Sequence, residues 1–247
     1  MDERPLDGGN SNTVVRAGET VRRIPGSWTP AVHALLRTLR DAGMTEVPEP
    51  HGFDEQGREV LSFLPGRVGN YPLPDWLWAP VILDDAGALL RRMHDASVSL
   101  VGQDLAWGSP RRESAEVICH NDFAPYNMTF ADGRVAGVFD FDAASPGPRL
   151  WDLAYLAYRL APLTEDAETE FTDEQLVARI ERLIEAYGKP YELADLLETL
   201  TNRLLDLAAY TDQRLLDTDD PSFAEHAAMY RRDAARAQSL RSSLSLG

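Results

Sequence analysis

Three side chains within residues 117–142 have the types and spacing that phosphoryl transfer requires. The stretch reads V-I-C-H-N-D-F-A-P-Y-N-M-T-F-A-D-G-R-V-A-G-V-F-D-F-D. Such a reaction needs a carboxylate to orient a hydroxyl nucleophile and take its proton, together with hard oxygen ligands for Mg²⁺. Asp122 fits the base, and Asn127 and Asp140 fit the metal ligands. His120 is read as a brace for the loop rather than as a chemical participant. Asp and Asn alone are ordinary turn formers. It is the whole H-x-D-x-x-x-x-N string, followed by an apolar run ending in D-F, that points to a catalytic loop.

Three short strands must position these groups. The run Val117-Ile118-Cys119 suits a buried strand that delivers His120 and Asp122. Residues 128–130 and 135–139 flank Asp132-Gly133, a turn dipeptide that selects a β-hairpin. Asn127 leads into the first strand of that hairpin and Asp140 ends the second. Folding it would therefore bring Asp122, Asn127 and Asp140 together.

The strings H-N-D-F-A-P-Y-N, G-V-F-D-F-D and R-L-W-D-L-A closely resemble the aminoglycoside phosphotransferase family, small-molecule kinases with a protein-kinase-like fold. The resemblance takes in G-G-N-S-N-T-V-V-R near the start and R-E-V-L-S-F-L-P-G at residues 58–66. It is strongest over residues 120–154 and weakest after 162. It implies an α+β fold of two lobes. Residues 1–66 would form a small antiparallel-sheet lobe with a hinge at its end, and residues 67–247 a mainly helical lobe. It also implies ATP, or GTP, with Mg²⁺, and a hydroxyl acceptor.

Further site residues follow from the same resemblance. The glycine-rich segment at 8–12 looks like the nucleotide-covering loop, where glycines admit backbone amides to phosphate oxygens and Ser11 and Asn12 add donors. Alternation puts Val21 and Arg23 on one face of the next strand, and Thr20 and Arg22 on the other. The family pattern of apolar, any, basic selects Arg23 to grip the phosphates, with Arg22 as the alternative. Lys is usual there, and Arg changes reach and donor geometry. A helix from Thr29 to about residue 42, capped by Thr29, lacks the glutamate that such folds place opposite the strand cation; His33 is the nearest inward polar residue. Residues 59–66 read as an edge strand running into the hinge, where Ser62, Phe63 and Leu64 would meet the purine. Asp152 matches the family's helix-start aspartate, a support for the catalytic loop. Asp142 is either a further metal-side carboxylate or a polar loop residue.

Composition narrows the partners. The chain has 247 residues, 44% of them hydrophobic, and a net charge of −16 from 24 basic and 40 acidic side chains. That balance repels nucleic acid and favours a cationic substrate. No apolar run approaches the roughly 20 residues of a membrane span. The first residues lack a signal peptide's apolar core. A single cysteine, Cys119, excludes an intrachain disulfide and suits a reducing cytoplasm. Helices are expected over residues 81–98, 151–160, 174–187, 191–217 and 223–240. Only a short loop separates Asp142 from the helix near Trp151, which leaves no room for a peptide-docking segment and argues for a small acceptor.

Overall fold

A computed structural model describes residues 3–6, 14–167 and 171–244. They divide into two compact units, residues 1–77 with 89–149, and residues 78–88 with 150–247.

The first unit is built on antiparallel sheets. Strands β1 (Glu3–Pro5), β2 (Val15–Ala17) and β3 (Thr20–Arg23) precede helix α1 (Thr29–Asp41), and β4 (Pro50–Phe53) and β5 (Glu59–Ser62) follow it. The order across this sheet is β1-β2-β3-β5-β4. Gly18 takes φ 62° in the tight turn between β2 and β3, a conformation that costs glycine little. β5 is therefore interior rather than the expected edge strand. Its Glu59, Val60 and Leu61 are all buried, and a strand covered on both flanks fills its ladder on both sides. In α1 the buried Val32, Leu35, Leu36 and Leu39 recur at three- and four-residue steps, the stripe of a helix with one apolar face. The helix begins at Thr29, not after it. The Thr29 hydroxyl turns back to accept the Gly26 N–H at 3.0 Å, so it does not cap the helix.

Four strands then frame the motif region: β6 (Arg67–Val68), β7 (Val117–Cys119) and, as a hairpin, β8 (Met128–Ala131) with β9 (Arg134–Val138). The hairpin turn places Asp132 at φ 51° and Gly133 at φ 73°, the double left-handed turn whose twist suits two strands. β6 joins β8, and β7 pairs with β10 (Ser145–Gly147). Helix α2 (Pro80–Ser97) starts in the second unit and ends in the first.

The second unit is helical, with α3 (Arg149–Leu160), α4 (Asp173–Tyr187), α5 (Leu193–Thr218) and α6 (Ser222–Leu244). Thr172 and Gln175 cap α4 reciprocally, and Gly188 ends it at φ 73°, as capping boxes and left-handed C-caps do. Ion pairs Glu198–Arg241 and Asp212–Arg231 show α5 and α6 running antiparallel. No described helix is long and apolar enough to cross a membrane.

Candidate functional site

β7 ends at Cys119 and the chain bends through His120, Asn121 and Asp122. Asn121 takes φ 63°, a left-handed conformation that asparagine tolerates better than most residues. Its side-chain amide donates to Ala143 O at 2.9 Å and Ser145 Oγ at 2.8 Å, tying this bend to the segment beyond Asp140. His120 is buried. Its Nδ1 accepts the Asp122 N–H at 3.2 Å, so Nε2 carries the proton and donates to Phe139 O at 3.1 Å. Rings of Phe123 and Phe141 pack on the imidazole, with centroids 5.6 and 4.7 Å away. His120 thus couples the backbone of Asp122 to the residue just before Asp140.

The Asp122 carboxylate is held at both oxygens. Tyr126 donates its hydroxyl to Oδ1 at 2.6 Å, and Asn127 donates Nδ2 to Oδ2 at 2.9 Å. The same Nδ2 also reaches Asp122 O at 2.9 Å. With its nitrogen so committed, Asn127 has its side-chain oxygen to offer a cation. Asn127 O accepts the Phe139 N–H at 2.9 Å, so the hairpin register brings Asn127 beside the chain that leads to Asp140. Asp140 lies two residues past β9 at φ 63°.

Asp140 and Arg23 close the polar end of a cleft of about 310 Å³ within this unit, near the small end of ligand-pocket volumes. Val21, Val32, Leu36, Leu61 and Phe141 supply apolar wall, and Ser62, Phe63 and Leu64 line its edge. Ser62 N donates to Glu49 O and Phe63 N to Glu19 O, each at 2.9 Å. The Arg16 guanidinium stacks on the Phe63 ring at 3.7 Å. Arg22 points to the opposite face of β3, 3.5 Å from Asp54.

Arg23 sits among carboxylates. Nε donates to Glu59 Oε2 at 2.5 Å, Nη2 to Asp142 Oδ1 at 2.6 Å, and Nη1 lies 3.7 Å from Asp140 Oδ1. Burial by itself would pull its pKa down, but Asp142 and Glu59 outweigh that and raise it. Asp140 is displaced upward, first by desolvation from the cleft walls and then by the Asp142 charge, with Arg23 opposing. Crowded carboxylates resist ionisation in this way until a cation joins them.

Asp122, Asn127, Asp140, Asp142, His120, Arg23 and residues 62–64 thus share one unit. Asp152 does not; it is fully buried in the first turn of α3, in the second unit. Ser11 and Asn12 lie outside the described residues. The sequence reading missed Glu59, Asn121 and Tyr126. Only Tyr126 left a local signal, since it lies one turn from Asp122 inside the motif itself.

Comparison with known proteins bears on the family and the fold. A sequence model described as the phosphotransferase enzyme family matches residues 2–114 and 103–197. A trifolitoxin immunity protein from Rhizobium leguminosarum bv. trifolii is 36% identical over 172 residues, covering 67% of this chain. The match spans 64% of that relative's length. A choline/ethanolamine kinase family protein from Mesorhizobium loti superimposes with a TM-score of 0.65 at 20% identity, covering 97% of this chain and 88% of its own. The amicoumacin kinase hAmiN, in complex with AMP-PNP, Ca²⁺ and Ami, superimposes at 0.68 with 14% identity, covering 94% and 87%. The catalytic-loop string, the antiparallel sheets with their helical remainder, and these matches make one case: the chain belongs to the phosphotransferase enzyme family and has a kinase-like fold.

Proposed function

We propose that this enzyme moves the γ-phosphoryl of ATP, or of GTP, to a hydroxyl of a small cationic molecule such as an aminoglycoside, in the cytoplasm. The observation that carries the reading is the convergence of Asp122, Asn127, Asp140 and Arg23. Asp122 is bonded to Asn127, and its charge is near enough to add to the upward displacement of Asp140. Arg23 lies 3.7 Å from Asp140 on the wall of the same cleft.

The donor set fits a hard divalent cation. Asp140, Asn127 and Asp142 offer oxygens only, and the carboxylate that resists ionisation is the one a cation would relieve. Mg²⁺ held there would supply neutralisation of phosphate charge. The chain's own residues would do the rest. Asp122 would orient the acceptor hydroxyl and take its proton, steered by Tyr126 and Asn127. Arg23 would hold phosphate oxygens, with Ser11 and Asn12 as covering donors. Val21, Leu61 and Phe141 would sandwich the base. Along residues 62–65 the base's backbone donor would be Leu64, since Ser62 and Phe63 have spent their N–H groups and residue 65 is proline. The segment ending at Gly66 would serve as hinge between a nucleotide lobe, residues 1–66, and an acceptor lobe, residues 67–247. Asp152 would support the catalytic loop.

A net charge of −16 supports a cationic acceptor and disfavours nucleic acid and anionic membrane surfaces. The immunity relative favours a second acceptor class, a toxin inactivated by phosphorylation of one hydroxyl. The test is phosphate transfer from ATP and from GTP to a panel of aminoglycosides, peptide toxins, sugars, choline and amino-acid-like alcohols. Turnover on one class identifies the acceptor. Nucleotide binding without turnover on any of them would favour a non-catalytic relic instead.

A further inference from the structure

Arg23 stands where a lysine is usual, and α1 lacks the glutamate that would steady that lysine. Both departures have one structural answer. Glu59 faces Arg23 directly across β3 and β5, where opposed Cβ atoms stand roughly 5 Å apart. Its carboxylate has no exposure to solvent. One oxygen takes Arg23 Nε at 2.5 Å, and the other meets His33 Nε2 at 2.8 Å. His33 is itself buried on α1. The carboxylate therefore spends one oxygen on β3 and the other on the helix.

We propose that Glu59, steadied by His33, is the residue that positions Arg23 for the nucleotide phosphates. It does from the neighbouring strand what a helix glutamate would do from above. The guanidinium nitrogen that is anchored decides where the others point. A lysine has one nitrogen, at its tip, to share between anchor and phosphate. Arginine separates the two tasks. Its Nε lies nearest its own strand, within reach of the directly opposed side chain, and anchoring it aims both Nη groups at the polar end of the cleft. They stand 3.7 Å from Asp140 and 2.6 Å from Asp142. An arginine at 23 and a carboxylate at 59 are thus a matched pair, and a glutamate on α1 becomes unnecessary. Glu59 acts through Arg23 and is a positioning residue.

The proposal rests on the phosphate-gripping role of Arg23, and its test separates the two. The measurement is calorimetric titration of Mg²⁺ with a non-hydrolysable ATP analogue, on the whole chain, with thermal unfolding followed in parallel. Glu59→Gln should weaken binding about tenfold, the scale of one charge-assisted hydrogen bond. In an Arg23→Ala background the same change should add less than about twofold, because residues acting through one another do not add. Should Glu59→Gln fail to fold, His33 carries the test: His33→Leu should weaken binding about threefold, while His33→Gln, which keeps an N–H donor, should restore it. Wild-type binding by folded Glu59→Gln, or an equal loss with and without Arg23, would overturn the proposal and leave the Arg23 grip standing. Where Glu59→Gln does not fold, equal binding by both His33 variants would overturn it. Wild-type binding by Arg23→Ala would overturn the grip and the positioning role together.

Discussion

The phenolic oxygen of Tyr126 lies 2.6 Å from Oδ1 of Asp122, and the amide of Asn127 holds the other carboxylate oxygen. A carboxylate donated to at both ends keeps one rotamer, and general bases work when their geometry is fixed. Replacing Tyr126 by Phe removes one of the two constraints and keeps the ring. The turnover number should fall about tenfold to a hundredfold, in line with the loss of one hydrogen bond to a charged group, while the Kd for Mg²⁺-nucleotide stays unchanged. A rise in turnover would mean instead that the phenol occupies the place of the acceptor hydroxyl.

Gly108 packs against the chain that carries the proposed metal ligands. A Cβ built there would overlap the carbonyl oxygen of Asp142, and a main-chain atom cannot step aside as a flexible side chain can. Gly108→Ala should destabilise the fold by about 1–3 kcal/mol, the range for forced overpacking. It should also weaken metal-dependent nucleotide binding, because Asp142 moves with its backbone. Urea unfolding and nucleotide titration on the same preparation check both effects.

Acid sensitivity should show at Asp95, on the part of α2 that belongs to the first unit. Partial burial pulls its carboxyl upward, but hydrogen bonds from Arg91 and Arg149 prevail and hold it below the usual value of 3.8. A carboxylate whose folded pKa is depressed contributes its stability above the unfolded value and loses it as pH falls through the folded one. Asp95→Asn should therefore lower the urea midpoint at neutral pH, and the gap from wild type should close as pH drops below about 3.8. With a side chain 46% exposed, the neutral-pH effect should stay under about 1 kcal/mol.

Features set by neighbours in sequence were legible before the fold was known. The Asp132-Gly133 turn and the run of β9 follow from local chemistry, because a two-residue hairpin fixes the register beside its turn; a shift between Thr129 and Phe130 then sets the pairs nearer Asn127. The faces of Arg22 and Arg23 followed from strand alternation, and the structure points them in opposite directions. What stayed hidden depends on pairings between distant segments. The absence of a helix glutamate could be read, but its replacement could not, since Glu59 meets Arg23 only through the register of β3 on β5. For the same reason β5 passed for an edge strand: its hairpin with β4 is local, but its pairing with β3 joins distant segments. Asn121 looked like a spacer within the motif, and its bonds to Ala143 and Ser145 require the bend after Asp140 to be in place.

The most direct test of the account compares transfer and binding in Asp122→Ala and Asp140→Ala. Phosphate transfer to an active acceptor and the Kd for Mg²⁺-nucleotide are measured on the same samples. Asp122→Ala should lose at least about a hundredfold in turnover, the lower end of what a positioned base contributes, while binding nucleotide as wild type does. Asp140→Ala should lose both turnover and metal-dependent binding. Wild-type turnover by Asp122→Ala would contradict the assigned base and, with it, the central reading of the site.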